Sequence, residues 1–361
     1  MTHTAVQRSY LPDERRNMIL NLLTQREVIT VTELATLLGT TEITVRRDLN
    51  TLANAGLLKR IRGGAMSIGV INEQTTDGII SKEDKRASIG IMLPEPSFFW
   101  PGIIAHMQSI ANESGISLII RNCSYDENIH EERILQELAD IPEVCGIITA
   151  PNSHPEFGQQ TWRWIEQTDI PTVVIEREQP VLSSRYVDSV QTNHRCGVYK
   201  AAMHFLSHGH TRIGAAFSKT PTSHIIQRGW QNIVECSERI ECPFTLTGMM
   251  PYDTAGVGEI VDTIIRSGVT AMLVHSDYLA IAIARALENR GKRVPENISL
   301  ISIDGFATPS SRPLTVLRSN ERELAECAFH TLINRIHMPD RTTRHILLDP
   351  ALIDRGSVSQ R

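Results

Sequence analysis

The 361-residue sequence predicts an α/β protein in two parts: a small winged helix-turn-helix and a large body of two Rossmann-like lobes. Three observations predict it. Apolar residues recur at helical spacing in three short segments of the first sixty residues, and a basic stretch ending in a glycine pair follows them. From Ser88 onward, apolar runs of strand length alternate with amphipathic helical stretches, as in a parallel sheet covered on both faces. That alternation comes as two similar series in tandem, which predicts two lobes with a cleft between them.

The first helix is read from Pro12, where PDERRNMILNLLTQ places Ile19, Leu22 and Leu23 at i, i+3, i+4 behind a proline and two acids. A second, short helix is read in VTELATLLG, with Leu34, Leu37 and Leu38 on one stripe and Gly39 as the stop. Thr40 and Thr41 can cap a third, EITVRRDLNTLANAG, whose Val45, Leu49 and Leu52 form the inward stripe and whose Gly56 closes it. At about 100° per residue the opposite face carries Ile43, Arg47, Asn50 and Asn54, with Thr44 and Arg46 on its flanks. Two short helices joined by a glycine-containing turn form a helix-turn-helix, whose second helix enters a DNA major groove by its N-terminal residues. In LLKRIRGGA, Lys59, Arg60 and Arg62 precede Gly63-Gly64 as a basic hairpin wing would, able to grip phosphate.

Charge agrees with this division. The chain as a whole carries −5, which excludes a protein that coats nucleic acid along its length. Residues 8–66, however, hold nine Lys or Arg against six acids, a net of +3 that leaves −8 for the rest. A basic head on an acidic body is expected when only the head meets phosphate. Hydrophobic and charged shares of 41% and 21% are those of a soluble globular protein. No run approaches the roughly 18 apolar residues of a membrane span, so no membrane association is expected. Residues 1–16 are polar, without the apolar core and small-residue cleavage site of a secretory signal, and a cytoplasmic protein is expected. Cysteines 123, 145, 196, 236, 242 and 327 are scattered without a CxxC pair, which suits reduced thiols with packing roles.

Residues 66–87 mix Gly, Thr and charge with little periodicity and read as a linker. The body's first series runs IGIML, PGIIAHMQSIANESG, SLIIR, HEERILQELAD, VCGIITA and PTVVIE. The second runs HRCGVYKAAMHFLSHG, RIGAAF, a helix through Arg228-Gly229-Trp230, TLTGMM, VGEIVDTIIRSG, AMLVH, DYLAIAIARALENRG and SLISID. LTVLRSN, ERELAECAFHTLINRI and HILLDPALIDRGS then supply segments that return to finish the lobes. Ligands of such sheets sit outside the carboxyl ends of strands.

TEITVRRDLNTLANAGLLKRIRGGA resembles the recognition helix and wing of the deoxyribose-operon repressor (DeoR) type, with Thr44, Val45, Arg46, Arg47, Asp48, Leu49, Gly63, Gly64 and Ala65 matching in place. The resemblance implies that Thr41, Glu42, Thr44, Arg46, Arg47 and Asn50 meet the groove of double-stranded operator DNA, and that Lys59, Arg60, Arg62, Gly63 and Gly64 form the wing. The body resembles the sensor domain of the lactose- and purine-repressor family and the related periplasmic sugar-binding proteins. The matching stretches are IPTVVIER, FLSHGHTRIG, AMLVHSD through ISIDG, LTVLRSN and LIDRGS. The implied architecture is a winged helix-turn-helix over 11–66, a linker over 67–86, and a two-lobed periplasmic-binding-protein-like domain over 87–357 that binds an effector and forms a homodimer. No segment resembles the phosphosugar isomerase-like half of the usual DeoR-type regulator.

By position, the implied effector contacts are Phe98, Phe99 and Trp100 after the first strand, Arg177 after the fourth, Ser276 and Asp277 after AMLVH, and Asp304 after SLISI. Aromatic faces stack on sugar rings or bases, while Asp and Arg give directed bonds to hydroxyls or amides. Three positions depart from the family: Ile226 stands where an Arg is usual, Ser276 where an Asn is usual, and Ser319 at the late-strand polar position. His224 and Arg228 are the candidates to replace the missing Arg, and the effector is expected to be a sugar or related metabolite. His204 and His208 stand at i, i+4 with His210 nearby, but no further ligand is evident, so neither metal nor cofactor is expected. A ligand-responsive DNA-binding regulator, repressor more than activator, is the leading expectation. The alternatives are an α/β enzyme, against which the chain shows no Walker loop, GxSxG, HExxH or GxGxxG, and a solute receptor, which has no use for a helix-turn-helix.

Overall fold

A computed structural model describes residues 12–25, 28–54, 58–61, 63–66, 87–94, 99–123, 130–152, 158–249, 256–304 and 313–361. The chain divides into two compact units, Met1–Asp84 and Lys85–Arg361.

The first unit contains α1 (Pro12–Gln25), β1 (Val28–Thr30), α2 (Val31–Leu37), α3 (Glu42–Asn54), β2 (Lys59–Ile61) and β3 (Gly64–Met66). Helix α2 starts in a capping box: the Thr30 hydroxyl accepts from the Glu33 amide at 3.2 Å, and the Thr30 amide donates to the Glu33 carboxylate at 2.9 Å. Gly39, at φ +58°, makes the left-handed turn that stops it. Val45, Leu49 and Leu52 of α3 are buried with Ile19, Leu23, Leu34 and Leu38 in one core. Leu37, expected on the inward stripe, is instead half exposed at the last turn of α2. The expected wing is the antiparallel pair β2·β3, and β1, which the sequence did not mark, adds a third strand in the order β1-β3-β2.

In the second unit the chain first runs β4 (Ser88–Pro94), α4 (Trp100–Glu113), β5 (Ser117–Cys123), α5 (Glu131–Ala139), β6 (Val144–Thr149), α6 (Gln159–Gln167), β7 (Thr172–Ile175) and β8 (Asp188–Thr192). It continues α7 (His194–Ser207), β9 (Ile213–Ser218), α8 (Ser223–Cys236), β10 (Thr245–Met249), α9 (Val257–Ser267), β11 (Ala271–His275), α10 (Asp277–Asn289), β12 (Ser299–Asp304) and β13 (Thr315–Arg318). It closes with α11 (Glu321–His337), β14 (His345–Leu348) and β15 (Ala351–Ile353). One sheet is parallel throughout, in the order β14-β8-β7-β6-β4-β5; the other is β10-β9-β11-β12-β13-β15, parallel except for the antiparallel last pair. Both are wound alike, with the second strand outside the first, so each has a switch point beside its first strand, β4 or β9.

Strands β4, β6, β9 and β11 in the middle of these sheets are mostly apolar on both faces because helices cover both. Helices α4 and α11 cover one face of the first sheet through Trp100, Ile103, Met107, Leu324, Phe329 and Leu332. On its other face Leu135, Leu138, Trp162 and Ile165 of α5 and α6 are buried. In the second sheet, α9 and α10 pack on one face, and α7 and α8 on the other around Phe205, Phe217 and Trp230.

The lobes exchange chain three times: β8 of the first sheet leads to α7 on the second, β13 of the second leads to α11 on the first, and β14 leads to β15. Polar contacts tie these crossovers together. Thr192 Oγ1 and Ser319 Oγ lie 2.9 Å apart, while Asn193 Nδ2 donates to Asp349 Oδ1 at 2.8 Å and Lys200 Nζ to the Pro350 carbonyl at 2.8 Å.

In the second unit two elements escaped the sequence reading, α6 and β8. Helix α6 is only nine residues long, and its inward side rests on Thr161, Trp162 and Ile165. Strand β8, DSVQT, reads as polar because its buried Asp188 is paired with Arg335 and Arg341, residues far away in sequence.

Candidate functional site

The first candidate surface is the outward side of α3 with its wing. Thr41 caps the helix, accepting from the Thr44 amide at 3.3 Å, and the two hydroxyls lie 2.9 Å apart. Glu42 accepts from Thr32 Oγ1 of α2 at 2.8 Å and pairs with Arg46 at 3.2 Å. These two contacts hold its carboxyl below the usual range, so it stays charged and fixes α2 against the start of α3. Arg60 of the wing donates to the Arg46 carbonyl at 3.3 Å, joining wing to helix. Arg46, Arg47, Asn50 and Lys59 are exposed, and Arg47 makes no side-chain ion pair among the described residues. Gly63 holds φ +85° in the turn of the wing, and Gly64 is buried where a Cβ would run into the Ile29 carbonyl oxygen of β1. Arg62 lies outside the described residues.

Asp48 in the VRRD run points inward. It is buried and accepts from Arg15 Nε at 2.7 Å and Arg16 Nε at 3.4 Å, both from α1. Two of the nine basic residues counted toward the head's charge therefore neutralise an internal carboxylate. Nothing in local spacing signals this pairing, because its partners are more than thirty residues apart.

The second candidate surface lies at the carboxyl ends of the two sheets. Residues 95–98, 124–129, 153–157, 250–255 and 305–312, Phe98 among them, lie outside the described residues. Arg177 follows β7 and is 3% exposed. Its Nε donates to the Pro151 carbonyl at 2.9 Å and Nη1 to the Glu176 carbonyl at 2.8 Å, while its guanidinium carbon lies 5.6 Å from the Trp100 ring centre. Nη2 finds no hydrogen-bond partner among the described residues, nor does buried Thr149 Oγ1 at the end of β6. An unmade bond on a buried charged donor is costly. Trp100 belongs to the core under α4, and Phe99 meets it edge-on with ring centres 5.0 Å apart. Glu131 is buried at the start of α5; burial pushes its carboxyl up despite the Asn152 amide that donates to it at 2.8 Å.

In the second lobe Asp304 ends β12 at φ +107°, an uncommon conformation for a non-glycine residue, and pairs with buried His275 of β11 at 3.5 Å. His275 Nδ1 is buried without a hydrogen-bond partner among the described residues. Asp277 is buried, and its carboxylate accepts from Ser302 Oγ. Ser276 stands at the N-cap of α10 and makes no side-chain capping bond among the described residues. His224 and Arg228 are exposed on α8, and His224 pairs across the lobes with Glu178 at 3.4 Å. Ile226 is fully buried in the second lobe's core, so an apolar contact has taken the place expected of an Arg. Thus Arg177 and Asp304 do stand at strand ends of opposite lobes, whereas Trp100 and Asp277 are largely committed to packing and internal bonding.

The reading missed Glu176. It is buried at φ +56° and accepts from the Thr192 amide at 2.6 Å and Thr192 Oγ1 at 2.8 Å, with His194 3.5 Å away. Burial opposes its ionisation, but His194 and Thr192 outweigh it and hold the carboxyl below its usual range. His210 contacts Thr270 Oγ1 and the Ser359 carbonyl at 2.8 and 2.9 Å, a structural role. A separate open groove of about 700 Å³, lined by Tyr199, Met203, Leu206, Ile233 and Ile240, lies between α7 and α8 and includes neither Arg177 nor Asp304.

Comparison with known proteins gives each unit a counterpart. Residues 15–69 match the DeoR-like helix-turn-helix domain, and residues 202–358 match the periplasmic binding protein-like domain. The HTH-type transcriptional repressor PurR of Photobacterium profundum is 24% identical over 72% of this chain and 77% of its own length. The transcriptional regulator DegA of Bacillus subtilis is 26% identical over 75% and 80%. A ribose-bound LacI family regulator from Enterococcus faecium superposes with a TM-score of 0.60 at 21% identity, over 75% of this chain and 98% of that one. The lactose repressor bound to the anti-inducer ONPF gives 0.63 at 19% identity, over 75% and 99%. The chain is a DeoR-type helix-turn-helix fused to a LacI/PurR-like, periplasmic-binding-protein-like domain, and the curated proteins similar to it are transcriptional regulators. No helix among the described residues is long and apolar enough to cross a membrane.

Proposed function

We propose that this fusion of a DeoR-type helix-turn-helix with a LacI/PurR-like domain is a sequence-specific DNA-binding transcriptional regulator, a repressor, whose operator affinity is set by a small polar effector. The observation that carries it is the outward side of α3, where Arg47 and Asn50 are exposed while Asp48 of the same helix is tied inward to α1. Residues 11–66 are the DNA-binding part, 67–86 the linker, and 87–357 the effector-binding and dimerising part. Support for a sugar or related metabolite comes from the ribose bound to the E. faecium relative and from the polar character of the strand ends. Arg177 and Asp304 are the proposed anchors, one on each lobe. A homodimer is proposed because a single small module contacts a short half-site, and pairing half-sites raises affinity and specificity.

The test is a salt-dependent binding titration on the gene's own upstream region, with wild type, Arg47→Ala and a chain lacking residues 1–66. The shortened chain is expected not to bind. Arg47→Ala should bind more weakly, by about 1–3 kcal/mol if it reads a base, and wild-type binding should saturate at two chains per operator. Equal binding by all three overturns the assignment, and saturation at one chain overturns the dimer.

A further inference from the structure

Ile43 is 81% exposed on the first turn of α3, while Val45, Leu49 and Leu52 of the same helix are buried. At about 100° per residue, Ile43 lies within roughly 40° of Arg47 and 20° of Asn50 around the helix, on the side proposed to face DNA. Helix propensity does not explain it, since a β-branched residue is a poorer helix former than the straight-chain polar residues usual on an exposed face. Its neighbours are already engaged: Thr41 with Thr44, and Glu42 with Thr32 and Arg46. The first turn thus offers incoming DNA one free apolar side chain, within a basic surface formed by Arg46, Arg47, Lys59 and Arg60.

Among the four standard bases, only thymine presents an apolar group to the major groove, its C5-methyl. We infer that Ile43 is a specificity-determining residue that packs against a thymine methyl in each half-site, so that the operator carries a fixed A·T pair there. This rests on the DNA-binding reading above and adds a base to it. Arg47 and Asn50 supply directed bonds further along the helix; Ile43 supplies a contact that only a methyl can fill.

The experiment uses the full chain and the tightest duplex that wild type selects from a random-sequence library. Each thymine of a half-site is replaced in turn by uracil, which removes the methyl and keeps every hydrogen-bonding group, and binding of wild type and Ile43→Ala is titrated. Burying one methyl is worth about 0.8 kcal/mol, so one replacement should weaken wild type about 4-fold. The same replacement should leave Ile43→Ala within about 1.5-fold of its own value on the thymine duplex. Thermal melting checks that Ile43→Ala is folded, as expected for alanine at an exposed helical site. If no replacement distinguishes the two proteins while both bind, this inference is overturned and the DNA-binding reading stands. If wild type selects no duplex, the DNA-binding reading falls and this inference falls with it.

Discussion

Asp188 shows how much one buried side chain can hold. It accepts from Arg335 Nε at 2.8 Å, from Arg341 Nη1 and Nη2 at 2.9 and 2.8 Å, and from the Arg344 amide at 2.8 Å, so β8, α11 and the segment before β14 meet on one carboxylate. Burial opposes its ionisation, but the arginines and the amide prevail and keep its carboxyl below the ordinary range. Its contribution to stability is therefore complete above the unfolded value of about 3.9 and is lost as pH falls through the lower folded value. Asp188→Asn strands two guanidinium groups and should cost on the order of 3–5 kcal/mol near neutral pH. Urea denaturation of both proteins from pH 7 down to pH 3 checks this: the wild-type advantage should shrink toward the acid end. A deficit under about 1 kcal/mol at pH 7 would refute this account. The inward turn of Asp48 follows the same logic, and neither carboxylate could be assigned from sequence because its arginines are distant.

Among elements, the wing depends most on a single position. Strands β1 and β2 both pair with β3, and Gly64 at its start lets the Ile29 carbonyl approach where a side chain would stand. Gly64→Ala must push β1 away and should cost about 1–3 kcal/mol, as overpacking does. Because the strained wing also carries Lys59 and Arg60, duplex binding should weaken with it. Gly63→Ala meets no atom within 4 Å and suffers only from φ +85°, so its cost should be smaller. Thermal denaturation and DNA titration of both variants test the order; Gly64→Ala as stable as wild type would mean that β1 is not held this closely. The helices and the wing were legible because stripe, cap and glycine signals are local. Strand β1 was not, since three residues pair with a strand that comes more than thirty residues later.

At the scale of the whole molecule, the three crossovers make each lobe a mosaic of distant chain segments, and an effector held by both lobes would favour one arrangement of them. Asp304→Ala is the variant that tests this, because Asp304 ends a strand of one lobe and Arg177 follows a strand of the other. A thermal-shift screen of sugars, polyols and nucleosides identifies the effector, since a ligand of the folded state alone raises its stability. Calorimetry should then show effector binding lost in Asp304→Ala, and titration should show operator affinity without effector unchanged. The wild-type response should be about 5- to 150-fold, the span of a coupling of 1–3 kcal/mol. Undiminished effector binding by Asp304→Ala would remove Asp304 from the site. The sequence by itself determined the helix-turn-helix, its basic head and the tandem α/β lobes, because periodicity, capping and charge balance are carried by neighbouring residues. Only the tertiary structure decided that Ile226 is core, that Asp277 is bound by Ser302, and that His224 answers Glu178 of the other lobe. Those outcomes depend on which strand ends and helices meet in space, and the pairing of a buried polar group is settled there.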